Sequence, residues 1–176
     1  MDTTLESIAD ELQAVRDRQA CEDLLVRYCR TLDWLDEEGQ AACFWPDAVV
    51  DYGFFQGSGE EWVAVVMEVE RSSVHRWHGS AGAIIKVEGN GASGESYGLS
   101  LGSVKNDAGE LVDTLFGGRY LDEFEKWEGS WRIAKRRYVA DWVHSFPNGL
   151  ANLAESGLTL NQLQIPVPGH EAYRVL

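Results

Sequence analysis

The residues best suited to move a proton at neutral pH are few in this sequence, and the first of interest closes a helix. In the stretch Cys21 to Asp33, Leu24, Leu25, Tyr28 and Leu32 recur at i, i+1, i+4 and i+8. One apolar stripe therefore faces a core while Glu22, Asp23, Arg27 and Arg30 stay wet. Asp33 falls at the negative pole of the helix dipole, a poor place for a carboxylate unless a cation or donor meets it. The alternative is that it merely starts the acidic turn Asp33 to Glu38 in open water. Tyr28 lies five positions earlier, about 140° away around the helix, so phenol and carboxylate can flank one groove. Of the 4 histidines, His75 and His78 are three positions apart in a strand-like stretch and face opposite sides, so one of them reaches a shared interior. His144 and His170 read as surface or tail residues. An imidazole with an unperturbed pKa near ~6.5 can accept or give a proton inside a pocket.

The elements that must position these groups follow from periodicity. Leu5, Ile8, Leu12 and Val15 mark a short amphipathic helix, and Asp17 is placed to cap the next one, which runs to Asp33. A short helical piece from Asp36 to Phe44 leads through Trp45-Pro46-Asp47 into a strand over residues 48–52. Ser58 and Glu61 form a capping box for a helix carrying Trp62, Val65, Val66 and Val69. From there the period changes to two. Strands are expected over 83–88, 92–104, 111–127 and 131–144, with turns at Gly89-Asn90-Gly91, Asn106 to Gly109 and Glu128-Gly129. Phe116, Tyr120 and Phe124 share a face of the third of these, and Gly117-Gly118 should kink it. Lys135-Arg136-Arg137 reads as a solvated strand face pairing with Glu123 or Glu125. Helices followed by an antiparallel meander define an α+β domain, expected over residues 1–145. The remainder, 146–176, with three of the chain's 4 prolines, reads as an arm holding at most a short helix near Leu150 to Leu160.

Composition narrows the functional classes. With 15 Lys and Arg against 29 Asp and Glu, the net charge of −14 repels nucleic acid and anionic membrane surfaces, which leaves a neutral small molecule as the natural partner. Cys21, Cys29 and Cys43 leave one thiol unpaired in any scheme, and Cys21 and Cys29 sit two turns apart on one helix, too far to bridge. A reducing cytoplasm fits, as does the absence of an apolar leader or membrane span. No C-x-x-C, H-E-x-x-H or clustered Cys/His set marks a metal. Of 7 tryptophans, Trp34, Trp45, Trp62 and Trp77 fall beside the segments above, which would suit a flat, apolar or aromatic ligand.

Taken together, Leu25-x-x-Tyr28-x-x-x-Leu32-Asp33, Trp45 to Val49, His75-Arg76-Trp77-His78, Gly118 to Asp122 and Gly129 to Ile133 resemble the SnoaL-like branch of the nuclear transport factor two-like superfamily over about Leu12 to Trp142. That resemblance implies a cone-shaped curved sheet wrapped around N-terminal helices, as in scytalone dehydratase, bile-acid 7-alpha dehydratase, hexachlorocyclohexane dehydrochlorinase and diarylpropane lyase type proteins. It implies His78 as general base, Asp33 as its orienter, and Tyr28 as a donor to a carbonyl or departing hydroxyl. A second cavity tyrosine would be Tyr52. Ser100 stands where the bile-acid branch carries an extra acid, and Tyr28 where the dehydrochlorinase carries a lysine. The substrate-binding set expected on this basis is Tyr52, Trp34, Trp45, Trp77, Ser100 and Phe116.

The implied activity is a lyase without metal or cofactor that takes a proton from a cyclic or aromatic substrate and expels water or formaldehyde. An isomerase or polyketide cyclase would share the base, and a non-catalytic binder would share only the cavity. The resemblance also implies a homo-oligomer, a trimer ahead of a dimer. The tail's Leu158, Leu160, Leu163, Ile165 and Val167 would reach a neighbour.

Overall fold

The computed structural model describes residues 4–149 and 167–176, and packs one sheet against two long helices and a short one. In chain order these are α1 (Leu5–Asp33), α2 (Glu37–Ala41), β1 (Phe44–Asp51), β2 (Gln56–Ser58), α3 (Gly59–Ser72), β3 (His75–Glu88), β4 (Gly91–Lys105), β5 (Leu111–Trp127) and β6 (Ser130–Pro147). The six strands form a curved, unclosed sheet in the order β2-β1-β6-β5-β4-β3. Neighbours are antiparallel except β1 and β6, which run parallel.

The two opening helices expected from the sequence are one helix of 29 residues, capped by the Thr4 hydroxyl. Nothing in Arg16-Asp17-Arg18-Gln19 breaks a helix, and Asp17 does not act as a cap. Its carboxylate instead accepts from Lys126 Nζ at 2.7 Å and Trp131 Nε1 at 2.8 Å, tying the middle of α1 to the β5–β6 hairpin. Burial pushes its pKa up, yet those hydrogen bonds more than offset this and hold the carboxyl below its ordinary range. The turns of α1 before this tie carry Leu5, Ile8, Leu12 and Val15 exposed, whereas Leu24, Leu25, Tyr28 and Leu32 after it are buried.

The core lies between that second half of α1, the inner face of α3 (Trp62, Val63, Val66, Met67) and the strand residues Phe44, Val50, Phe124 and Ile133. Each such side chain contributes about 1.5–3 kcal/mol on leaving water. The capping box holds as expected: Ser58 N donates to Glu61 Oε2 at 2.8 Å, and Glu61 N to Ser58 Oγ at 3.2 Å. All three cysteines are free and buried, and burial pushes their thiols up to about 11 or 12.

Sheet curvature comes from register shifts. The kink expected at Gly117-Gly118 is a bulge that leaves Asp141 without a partner across β5, and a second shift leaves Ala134 unpaired. Each extra residue flips the inward parity of β6: Ile133 points in before the first, Arg136 after it, and Val143 after the second. The solvated face expected for Lys135-Arg136-Arg137 is therefore corrected at its centre. Lys135 pairs outward with Glu123 at 2.9 Å, but Arg136 is fully buried, with Nε and Nη2 donating to Asp122 at 2.8 and 2.7 Å.

Residues 167–176 pack on their own domain. Tyr173 Oη donates to Asp36 Oδ2 at 2.7 Å, and its ring meets Trp34 edge-on at 5.3 Å. The expected helix near Leu150 to Leu160, with Leu158, Leu160, Leu163 and Ile165, lies outside the described residues. Among the described residues no helix is long and apolar enough to cross a membrane.

Candidate active site

One transverse row of the sheet sets the site. His78 pairs with Ser100, Ser100 with Phe116 and Phe116 with Val143, so strand alternation sends all four side chains to the concave face. Together with Tyr28, Leu32, Tyr52, Trp62 and Glu70 they line a cavity of about 340 Å³. A larger groove of about 900 Å³ lies on the surface between α2, α3 and β1, lined by Glu37, Glu38, Glu60 and Arg132, and contains none of the expected site residues. The smaller cavity, with its converging titratable groups, is the candidate site.

Asp33 ends α1 beside β3, and His78 Nδ1 lies 2.8 Å from its Oδ1. The donor that the helix terminus calls for is thus the imidazole. The other ring nitrogen is not free, as a resting general base would require: Nε2 faces Glu70 Oε1 at 3.4 Å. Burial alone would lower the pKa of His78, but the hydrogen bonds to Asp33 and Glu70 outweigh it and raise the group to about 9. The protonated form is thereby favoured at neutral pH. Arg76 completes the cluster, with Nε 3.9 Å from Glu70 Oε2 and donating to the Glu70 carbonyl at 2.9 Å.

The facing wall is phenolic. Tyr28 Oη and Tyr52 Oη are 2.7 Å apart, and burial raises both groups well above the ordinary phenol range. One hydroxyl spends its proton on the other, which leaves a single O–H for a ligand oxygen. Behind them Arg136 lies 4.2 Å from the Tyr28 ring centroid and 4.3 Å from that of Tyr120, fixing both rings from below. Tyr52 stacks on Trp62 at 3.9 Å and on Tyr138 at 5.3 Å.

Of the expected residues, His78, Tyr28, Tyr52, Ser100 and Phe116 line this cavity, and Asp33 lies behind the imidazole. The tryptophans Trp34, Trp45 and Trp77 do not line it. Trp77 alternates with His78 and lies on the outer face over Gly79. Trp45 alternates with buried Phe44 and packs on Trp127 and Arg132 outside. Trp34 follows the helix end and borders a separate pocket of about 300 Å³ with Asp33, Arg30 and Gly79. Sequence reasoning missed Glu70, although it sits four residues after Val66 on the buried stripe of α3, where an acid is out of place. Tyr138 and Arg136 were hidden by the parity flips. Asp33 and Glu70 sit at opposite ends of the ring, and among the described residues no three His, Cys, Asp or Glu converge as metal ligands do.

The chain belongs to the SnoaL-like domain family, whose pattern matches residues 13–137. Among solved structures it is similar to hexachlorocyclohexane dehydrochlorinase LinA-type3 from Novosphingobium barchaimii. There the TM-score is 0.67 at 20% identity, covering 77% of this chain and 94% of that one. It is similar to a Novosphingobium aromaticivorans protein provisionally named a scytalone dehydratase, at TM-score 0.64 and 19% identity, covering 82% and 93%. An NTF2-like protein with a cystatin-like fold from the same organism gives TM-score 0.66 at 21% identity over 80% and 92%. At such identities the likeness is one of fold. No curated protein matches the chain significantly.

Proposed function

We propose that the protein is a cofactor-independent lyase acting on a small, neutral, cyclic or aromatic molecule, with His78 moving the proton and water as the expelled group. The observation that carries this reading is the Asp33-oriented imidazole opening onto an aromatic cavity whose far wall holds the Tyr28–Tyr52 hydroxyl pair. One wall can exchange a proton, and the other can hold a carbonyl or hydroxyl oxygen. A volume of about 340 Å³ suits a one- or two-ring compound. Ser100 and Phe116 would contact it beside the imidazole, and Tyr52 opposite. Relatives named as a dehydratase and a dehydrochlorinase support an elimination.

The test is conversion of aromatic β-hydroxy ketones followed by mass spectrometry. Loss of water by the wild type and not by His78→Ala is the expected result. Conversion without change of mass would indicate an isomerase or cyclase, loss of formaldehyde a different leaving group, and tight binding without conversion a binding protein.

We further propose that the protein self-associates through the outer face of its sheet, in a trimer or a dimer. There Trp77, Ile84, Tyr97, Leu121, Val139 and Trp142 are exposed side by side. The charges on that face are paired internally, Arg119 with Asp141 at 3.0 Å and with Glu95 at 3.6 Å, so two copies can meet there despite the net charge. A monomeric mass by light scattering at micromolar concentration contradicts this. The three unpaired, buried thiols suit a reducing cytoplasm.

A further inference from the structure

We propose that Glu70 is the second catalytic residue of this cavity: its carboxylate takes the substrate's C–H proton, while His78 gives its Nε2 proton to the departing hydroxyl. This rests on the lyase reading above. A neutral imidazole has one N–H and one lone pair, yet both nitrogens of His78 face carboxylate oxygens, Nδ1 towards Asp33 at 2.8 Å and Nε2 towards Glu70 at 3.4 Å. Two facing carboxylates favour a proton on each nitrogen, so the cation is the favoured resting form of the ring and leaves no lone pair with which to act as base. Asp33 on α1, Glu70 on α3 and Arg76 on β3 are the charged groups that face it. Of the two carboxylates, Glu70 is the one that lines the cavity.

Glu70 is also an expensive residue to bury without a use. It projects from the apolar stripe of α3 and is only 8% exposed. Its contacts to the cations are long, 3.4 Å to His78 and 3.9 Å to Arg76, so neither saturates the carboxylate. A loosely held carboxylate beside an imidazolium is an acid–base couple in which each group has a separate task.

The step balances without a further reagent. A Glu70 oxygen forms an O–H bond as the substrate's C–H bond breaks, that electron pair becomes the C=C bond, and the C–O bond breaks. The leaving oxygen takes the Nε2 proton and departs as water. Glu70, now a carboxylic acid, returns its proton to neutral His78 across the 3.4 Å gap, restoring the resting state. Because acid and base share one wall, hydrogen and hydroxyl leave from the same face of the substrate.

The test uses the full chain with the aldol adduct of benzaldehyde and acetone, whose dehydration to benzalacetone is read by absorbance. Glu70→Gln is expected to lower kcat by ~10²–10⁴-fold with little change in KM. Wild-type kcat should fall as pH rises through about 9, where His78 loses its proton. A stereospecifically deuterated adduct should lose the hydrogen syn to the hydroxyl. Retention of turnover in Glu70→Gln, or a wild-type rate that climbs towards pH 9, overturns the role of Glu70 and leaves the lyase reading standing. No dehydration by the wild type at any pH overturns both. The pH profile needs no variant, so it decides the matter even if Glu70→Gln fails to fold.

Discussion

Arg136 and His78 stand on opposite sides of the cavity, His78 lining it and Arg136 behind the phenolic wall, and they differ in what holds them. Arg136 is fully buried, paired to Asp122 through two hydrogen bonds and covered by the rings of Tyr28 and Tyr120. A guanidinium never loses its proton under ordinary conditions, so this wall is fixed in charge and shape. His78 is held by one short and one long contact to two carboxylates, and its proton can leave. The difference separates a scaffold from a reactive group: a permanent cation positions aromatic rings, and a titratable one between unequal partners can transfer a proton.

Mutations should break this contrast cleanly if it is right. His78→Ala is expected to remove nearly all turnover, at least ~10³-fold, in a protein that still folds. Arg136→Met should do the reverse at first order. It strands Asp122 in the core and destabilises the fold by about 3–5 kcal/mol in denaturant titration, with Arg136→Met/Asp122→Asn recovering part of the loss. An Arg136→Met protein as stable as wild type would remove the distinction. Asp33→Asn comes next, with kcat lower by ~10²–10⁴, because an amide can select the wrong tautomer and cannot balance the imidazolium. Tyr28→Phe should be milder, ~10–10³-fold, the worth of one placed donor, since Tyr52 keeps a hydroxyl in the cavity. The remaining effect is on stability against pH. Because the folded pKa of His78 is raised to about 9, its contribution is full below about 6.5 and is lost as pH rises through 9. The stability gap between wild type and His78→Gln should therefore shrink over that interval.

Much of this was legible in the sequence for identifiable reasons. The span of β5, the capping box at Ser58 and the buried stripe of Leu24, Leu25, Tyr28 and Leu32 are local signals, and each holds. Asp33 was legible as a carboxylate at the wrong end of a helix, and the imidazole 2.8 Å away answers it. Trp45 and Trp77 fell outside the cavity because adjacency in sequence means opposite faces in a strand, as Trp77 and His78 show, whereas Trp62 on α3 lines it. Arg136 was misread because a bulge at Ala134 shifts strand parity, and bulges carry no reliable sequence mark without a glycine. Glu70 was overlooked because the stripe of α3 was read for its apolar members and not for the acid among them.

The protonation state of His78 in the substrate-free protein tests the central claim most directly. A titration of its ring nitrogens by NMR should find both protonated at pH 7, with a midpoint near 9 that drops when Asp33 is replaced by Asn. A midpoint near the ordinary ~6.5, unmoved by that substitution, would mean that the carboxylates do not control the imidazole and that the proton-moving role assigned to His78 is wrong.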